Sequence, residues 1–181
     1  MRPDAAMIFC AGLGTRMGHL TADRPKPLLT VGGVTLFDRT CALARGSGVT
    51  RIVINTHYKA KAMAAHVEGR DIAVSEEMPD ILDTGGGLKA ALPHLGGTPV
   101  YTANPDVVWN GPNPFDVAAE SWSDTTDALL LCIPVERAVG RQTGDFQLSD
   151  SGDLQRKGPL VYGGLQIIRP EVIRNVPHRK F

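Results

Sequence analysis

The sequence predicts an α/β fold with one doubly wound, mixed and mostly parallel sheet that carries helices on both faces. Short apolar runs of strand length alternate with segments of helical periodicity as far as Asn104, and this alternation is typical of parallel sheets. After Asp127 the strand-like segments have few helices between them, which predicts antiparallel or mixed strands at one edge of the sheet. The 181 residues, 43% of them hydrophobic, suffice for one buried core, so we expect a single domain over residues 1–181.

The first half of the chain predicts strands and helices in turn. An apolar run at residues 6–10 predicts the first strand, and a helix begins near Thr35 and ends at the glycines of residues 46–48. The β-branched run "RIVIN" at residues 51–55 predicts a buried strand, and the alanine-rich segment at 59–67 predicts a short helix.

The later elements follow from the same kinds of pattern. We predict a strand at 72–75, a helix at 87–92 and strands at 99–104, 127–135, 144–154 and 161–168. The segment "SDSGD" within 144–154 is typical of a hairpin turn.

Composition excludes several classes of function. Lysine plus arginine equals aspartate plus glutamate at 19 each, so the chain has no basic excess for binding nucleic acid. The apolar start is shorter than the roughly seven to fifteen residues of a signal-peptide core, and no run approaches the ~18 residues of a membrane span. We therefore expect a cytoplasmic protein.

Cys10, Cys41 and Cys132 have no metal-ligand or redox spacing and are expected to be buried thiols.

A glycine-rich loop follows the first predicted strand, in the stretch "FCAGLGTRMGHLTADRPKPLL" at residues 9–29. Glycines at this carboxyl end of a strand let successive amides approach an anion, so the loop predicts a phosphate site. Met17 stands where a dinucleotide fingerprint has its third glycine, and Asn55 stands where it has an acid, which argues against a nicotinamide enzyme. A plain strand-to-helix turn is the alternative.

Two cations accompany this loop. Arg16 lies inside it, and a guanidinium can bind two phosphate oxygens at once. Lys26 lies between Pro25 and Pro27, which restrict the backbone towards extended conformations and so present the lysine from a stiff segment. A solvated arginine and an ordinary exposed turn are the alternatives.

The segment "AGLGTRMGHLTADRPKPLL" resembles the signature of the sugar-phosphate nucleotidyltransferases. Within that superfamily, "LDTGGGLKAALP" at 82–93, "NPDVVW" at 104–109 and "GDF" at 144–146 resemble the branch that acts on N-acetylmuramate 1-phosphate with UTP. The resemblance covers nearly the whole chain and implies a Rossmann-like nucleotidyltransferase fold, similar to the GT-A fold.

The resemblance also implies roles for individual residues. Arg16 and Lys26 would hold the triphosphate and act in catalysis, and Asp106 would bind Mg²⁺. The other nucleotide-binding residues would be Ala11, Gly12, Leu13, Gly14, Thr15, Thr84, Gly85 and Gly86. The sugar-binding residues would be Asn104, Asp145, Tyr162 and Gly163.

At several of these positions the residues themselves predict a role, independently of the resemblance, and also allow an alternative. Three glycines at the start of the helix predicted at 87–92 would expose amides at its positive end, although a bare turn is also possible. Asp106 is a hard carboxylate at the end of a strand, which suits Mg²⁺, but Asn-Pro-Asp is also a common turn. Pro105 departs from the family pattern, which more often has a small polar residue there. Asp145 could cap a hairpin and the glycines after Tyr162 could mark a bulge.

One departure from the family concerns the second metal-binding aspartate, which usually lies near the C-terminus in a Trp-x-Asp-Val-Gly type segment. The sequence ends at Phe181 without it. We therefore expect that residues 1–181 lack the C-terminal segment of the domain.

The resemblance thus implies a Mg²⁺-dependent nucleotidyltransferase that joins a sugar 1-phosphate to a nucleoside triphosphate and releases pyrophosphate. UTP and N-acetylmuramate 1-phosphate are the implied substrates, with a role in peptidoglycan recycling. The alternative pair is GTP with mannose 1-phosphate. A nucleotide-binding regulatory domain without catalysis is the alternative of another class, and the missing aspartate favours it.

Overall fold

A computed structural model describes residues 1–97, 99–151, 153–177 and 180. The strands are β1 (Ala5–Phe9), β2 (Thr30–Val31), β3 (Val34–Thr35), β4 (Arg51–Thr56), β5 (Ile72–Glu76), β6 (Val100–Ala103), β7 (Ala128–Pro134), β8 (Phe146–Leu148), β9 (Leu154–Arg156) and β10 (Leu160–Ile168). The helices are α1 (Leu36–Gly46), α2 (Ala60–Val67), α3 (Asp83–Leu95), α4 (Pro114–Ser121) and α5 (Glu171–Arg174).

The main sheet has a parallel half and an antiparallel half. Strands β5, β4, β1 and β6 are adjacent in that order and parallel. β10 then pairs antiparallel with β6, and β7, β8 and β9 extend the sheet from β10. The mixed, mostly parallel sheet and its antiparallel edge are therefore as predicted. Because the chain leaves β1 for β4 on one side while β6 lies on the other, the carboxyl ends of β1 and β6 form a topological switch point, where α/β sheets bind ligands.

The sheet separates two cores, because successive side chains of a strand point to opposite faces. In β1, Ala6 and Ile8 pack with buried residues of α1, α2 and α4, whereas Ala5 and Met7 pack with α3 and α5. All four of these β1 side chains are fully buried. Apolar residues on both faces are what a central parallel strand requires.

Two helices differ from the prediction. α3 begins at Asp83 and ends at Leu95, so it is longer than the predicted 87–92 and includes the three glycines in its first turns. Gly87 is buried against the sheet, and this contact outweighs the low helix propensity of glycine. α4 was not predicted, although Asn113 caps it by accepting a hydrogen bond from the Phe115 amide at 3.1 Å.

Other expectations concern the hairpin and the cysteines. β8 and β9 form the predicted hairpin, and the Ser149 amide donates to the Asp153 carbonyl at 2.9 Å; Gly152 lies outside the described residues. Cys10 and Cys41 are buried and Cys132 is half-buried. Burial raises the pKa of each thiol, which keeps it protonated. Within the described residues no helix combines the length and the apolar character needed to cross a membrane.

Candidate active site

Two adjoining clefts open at the carboxyl ends of the parallel strands. The loop cleft, of about 620 Å³, is lined by residues 11–17 together with Lys26, Asn55, Asp83 and Thr84. The broad cleft, of about 1240 Å³, is lined by Trp109, Arg137, Arg141, Asp145, Arg156, Tyr162 and Gly163 among others. Arg16, Asn104 and Asp106 line both clefts and form their junction. A molecule in each cleft would therefore meet the other at these three side chains.

The glycine loop leaves room in the loop cleft that protein atoms do not fill. A Cβ built on Gly12 would meet no atom within 4 Å, and its backbone is not in the left-handed region. Neither packing nor φ therefore requires glycine there, which is consistent with close approach of a ligand. Gly14 is different, because its φ is +66° and a Cβ would lie 3.0 Å from Thr21 and 3.3 Å from the Lys26 stem. Gly14 thus lets the loop pass close to Lys26.

The turn that follows the loop is held by Thr21. Its buried hydroxyl donates to the carbonyls of Gly14 and Gly18, at 3.1 and 3.2 Å. Tyr58 donates to the Thr21 carbonyl at 2.9 Å. These bonds fix the backbone on either side of Arg16 without occupying its side chain. Among the described residues the Arg16 guanidinium is exposed and has no hydrogen bond or ion pair, so it is free to bind an anion.

Lys26 is presented differently from the prediction. Pro25 is extended, at φ −71° and ψ 150°, but Lys26 begins a one-turn 3-10 helix that ends at Leu28. The Leu28 amide donates to the Pro25 carbonyl at 2.9 Å, and the Leu29 amide donates to Lys26 at 3.0 Å. The missing amide of Pro27 costs nothing in such a first turn. The lysine is therefore presented from a hydrogen-bonded turn and not from the extended segment that the prolines predict.

Asp106 lies opposite Lys26, and the two side chains form an ion pair across the loop cleft. The Lys26 side chain is 26% exposed and that of Asp106 is 35% exposed, so a ligand can reach both. The turn at residues 105–106 is tied down by the Asn104 amide, which donates to the Gly164 carbonyl at 2.8 Å. Pro105 is buried in this turn and leaves the carboxylate in the cleft.

A buried network lies beneath the loop cleft, and sequence reasoning missed it. Asn55 accepts a hydrogen bond from the Cys10 amide at 2.7 Å and donates to the Glu77 carboxyl at 2.7 Å. The other oxygen of Glu77 accepts from the Leu82 amide at 2.7 Å. Glu77 is 1% exposed, so these bonds connect the start of the glycine loop to the start of α3. The position of Asn55 at the end of the strand beside β1 was the available signal.

Gly87 explains why α3 can lie so close to this network. A Cβ on Gly87 would lie 2.6 Å from Glu77 Oε1 and 2.8 Å from Asn55 Nδ2. Glycine at this position is therefore required by packing. Thr84 lines the loop cleft, whereas Gly85 and Gly86 lie in the first turn of α3 and do not line either cleft. Their assignment to the nucleotide remains a prediction.

Polar groups in the broad cleft serve the scaffold as well as the cleft. Asp145 accepts a hydrogen bond from the Tyr162 amide at 3.0 Å and from Arg141 at 2.7 Å, so it joins β10 to the loop before β8. Burial raises the pKa of the Tyr162 phenol, which therefore stays neutral. The register of β10 against β7 shifts between Tyr162 and Gln166, so the glycines do mark a bulge.

Gly163 makes room for Trp109. A Cβ at this position would lie 2.4 Å from the Trp109 ring. The half-buried ring packs against the core that contains α1, α2 and α4, and it also lines the broad cleft. Tyr162 and Gly163 both line the cleft, and their contact with a sugar remains a prediction.

Gly163→Ala is expected to displace the Trp109 ring towards solvent and to lower the free energy of unfolding by about 1–3 kcal/mol, because the added methyl overpacks this contact. The chain has two tryptophans, so the change is best measured in a Trp122→Phe background. We expect a red-shifted emission maximum and an earlier urea midpoint. An unchanged spectrum and midpoint would show that the ring is not held by this contact.

The comparison with known proteins decides the class of the site. The family model described as "MobA-like NTP transferase domain" matches residues 6–142. The chain belongs to this family. It is 37% identical to N-acetylmuramate alpha-1-phosphate uridylyltransferase of Caulobacter vibrioides, over 99% of this chain and 81% of that protein. It is 32% identical to the protein of the same name from Neisseria meningitidis, over 94% of this chain and 78% of that protein.

Membership of the NTP transferase family confirms the enzyme class that the sequence motifs predicted, a sugar 1-phosphate nucleotidyltransferase. A solved structure of the same fold is HddC from Yersinia pseudotuberculosis complexed with GMP-PN. It superposes with a TM-score of 0.76 at 22% identity, over 98% of this chain and 81% of that one. This likeness confirms the predicted nucleotidyltransferase fold.

The described residues of the site offer few ligands for a metal ion. In the part of the chain that the structure describes, no group of three histidine, cysteine, aspartate or glutamate side chains is placed to bind an ion. The junction offers the single carboxylate of Asp106. Mg²⁺ commonly takes one or two carboxylates and completes its shell with substrate phosphates and water. The donor set therefore fits an ion that arrives with a nucleotide.

Proposed function

We propose that this chain transfers the uridylyl group of UTP to N-acetylmuramate 1-phosphate, giving UDP-N-acetylmuramate and pyrophosphate for peptidoglycan recycling. The observation that carries the proposal is the pair of clefts that meet at Arg16 and Asp106, because two substrates must react where they meet. The names of the Caulobacter and Neisseria relatives support the choice of base and sugar.

The residues of the loop cleft would hold UTP. The triphosphate would lie against the amides of residues 11–15 and between Arg16 and Lys26, with the base near Thr84. Lys26 is paired with Asp106 before binding, so it would exchange this carboxylate for phosphate oxygens. The exchange also releases Asp106, which would then be available to hold Mg²⁺.

The acceptor would lie in the broad cleft with its phosphate at the junction. One oxygen of that phosphate forms the new bond to the α-phosphorus of UTP, and the bond from this phosphorus to the oxygen bridging to the β-phosphorus breaks. The electron pair of that bond leaves with pyrophosphate. The attacking oxygen is already anionic, so no side chain has to remove a proton. Arg16 and Lys26 contribute by positioning the phosphates and stabilising their charge. Mg²⁺ held by Asp106 would add further neutralisation of that charge.

The test is turnover with defined substrate pairs. UTP, GTP, dTTP and CTP are each incubated with N-acetylmuramate 1-phosphate or mannose 1-phosphate and Mg²⁺, and pyrophosphate and product mass are measured. We expect UDP-N-acetylmuramate from one pair. Turnover of GTP with mannose 1-phosphate would move the assignment to the guanylyltransferase alternative. Saturable nucleotide binding without pyrophosphate would indicate a regulatory domain, and no binding would overturn the proposal.

A further inference from the structure

The broad cleft contains arginines whose charge the scaffold does not use. Arg16, Arg137 and Arg156 line this cleft and have no hydrogen bond or ion pair among the described residues. Every other arginine in the described part of the chain donates to a carbonyl oxygen or contacts a carboxylate. Within the ranges that the structure describes, all the unpartnered guanidinium groups thus line the broad cleft. This is the distribution expected where an anionic ligand binds.

Arg137 and Arg156 enter the cleft at the same end. Leu160, at the start of β10, is in register with Pro134 of β7 on one side and with Phe146 of β8 on the other. Arg137 lies three residues beyond Pro134, at the end of a short 3-10 turn, and Arg156 is opposite Phe146. Both arginines therefore project from the same outer end of the antiparallel half of the sheet.

This outer end and the junction lie at different positions along β10. Leu165 is the residue of β10 opposite Ala103, which directly precedes the junction residue Asn104. Leu160 lies five residues from Leu165 along β10. Five residues of extended strand span up to about 17 Å. The acceptor phosphate is expected at the junction beside Arg16. Because all three arginines line the same cleft and their side chains are long, Arg137 and Arg156 would reach back from the outer end towards the ring substituents of the acceptor.

Carboxylates of the cleft do not neutralise these two cations. Asp145 is paired with Arg141 and Asp106 is paired with Lys26. A sugar 1-phosphate with no other charge would leave Arg137 and Arg156 without a partner. N-acetylmuramate carries a lactyl ether that ends in a carboxylate, whereas N-acetylglucosamine has a hydroxyl at the same carbon. The negative charge of the acceptor's ring substituent is thus complementary to the positive charge of the outer end.

We infer that Arg137 and Arg156 form a carboxylate-binding subsite at the outer end of the broad cleft, which selects a sugar 1-phosphate that carries a carboxylate on its ring. This inference rests on the proposed function and names the residues that would distinguish its acceptor from neutral sugar 1-phosphates. Both arginines are specificity residues, since they lie away from the reacting phosphates.

The test compares two acceptors in the wild type, Arg137→Gln and Arg156→Gln. kcat/KM is measured with UTP and either N-acetylmuramate 1-phosphate or N-acetylglucosamine 1-phosphate. We expect the wild type to prefer the muramate substrate and each variant to lose about tenfold or more of that preference, as for a lost hydrogen bond between charged groups. Arg137→Lys and Arg156→Lys should restore part of it. Arg174→Gln, which removes an equal charge outside both clefts, should change nothing.

Several outcomes of this comparison would overturn the carboxylate-binding subsite. Equal use of both acceptors by the wild type, or an unchanged preference in both glutamine variants, would overturn the subsite. An equal loss with both acceptors would also overturn it, because the arginines would then bind the phosphate. If neither acceptor is turned over, the proposed function fails and calorimetry with N-acetylmuramate 1-phosphate tests the subsite alone. Binding that both glutamine variants lose and Arg174→Gln keeps would support the subsite, and any other result would reject it.

Discussion

Lys26→Ala is expected to lower turnover by about a hundredfold or more, the effect of removing one preorganised electrostatic group from a site of developing charge. The lysine faces Asp106 across the loop cleft, and the stem of its side chain lies close to the backbone of Gly14. Its side chain is partly exposed, so its loss leaves no buried cavity, and we expect the variant to fold. The measurement is kcat with saturating UTP and N-acetylmuramate 1-phosphate, alongside the thermal unfolding midpoint.

Lys61→Ala is the matched control for this prediction. Lys61 is exposed on α2 and lines neither cleft, so its removal changes the charge of the chain equally without touching the site. Its turnover should equal that of the wild type. Unchanged turnover in Lys26→Ala would exclude the lysine from catalysis, and an equal loss in both variants would point to a general effect of charge.

Glu77→Gln is expected to lower the free energy of unfolding by about 1–3 kcal/mol, because one buried donor loses its acceptor. The two carboxyl oxygens of Glu77 accept separately from Asn55 and from the Leu82 amide. A glutamine has one such oxygen, so its NH₂ group must face one of these donors. Asn55 cannot resolve the conflict by rotating, since its own oxygen accepts from the Cys10 amide.

The same substitution is expected to weaken UTP binding. The network connects the glycine loop with the start of α3, where Thr84 lines the loop cleft. Without the Glu77 carboxylate, one of the hydrogen bonds that connect these two walls of the cleft would be broken. Chemical denaturation gives the stability and calorimetric titration gives the dissociation constant. Because of the fold's size, each kcal/mol should lower the thermal midpoint by about 2–4 °C.

Glu76→Gln provides the comparison for Glu77→Gln. Glu76 is the preceding residue and is exposed, so the same chemical change there should leave both stability and UTP affinity unaltered. If Glu77→Gln were as stable as Glu76→Gln, the network would not hold the two loops together. A stability loss with normal UTP affinity would limit Glu77 to a structural role.

The loop cleft was predictable in large part, because its residues are close together in the chain. Gly12, Gly14, Arg16 and Lys26 lie within one short segment after an apolar strand, and the strand predicts the edge at which they lie. Asp106 is far away in the chain, but it follows another parallel strand, and that strand predicts the same edge of the sheet. All five line the loop cleft in the structure.

The outer end of the broad cleft was not predictable. Arg137 and Arg156 are separated by a hairpin and carry no motif, and only the register of β7, β8 and β10 brings them to one place. Glu77 belongs to no motif either, and its hydrogen-bond partners come from two other elements. Long-range pairing of this kind has no local sequence signal.

The sequence by itself determined the α/β class, the glycine-rich loop with its two cations and the family, because these depend on periodicity and on residues near each other in the chain. The tertiary structure alone decided that Lys26 pairs with Asp106, that Glu77 joins two loops and that α3 can approach Asn55 only through Gly87. These contacts depend on how strands pair and how closely a helix packs on them. Such distances result from the packing of the whole domain, which no single segment of the chain encodes.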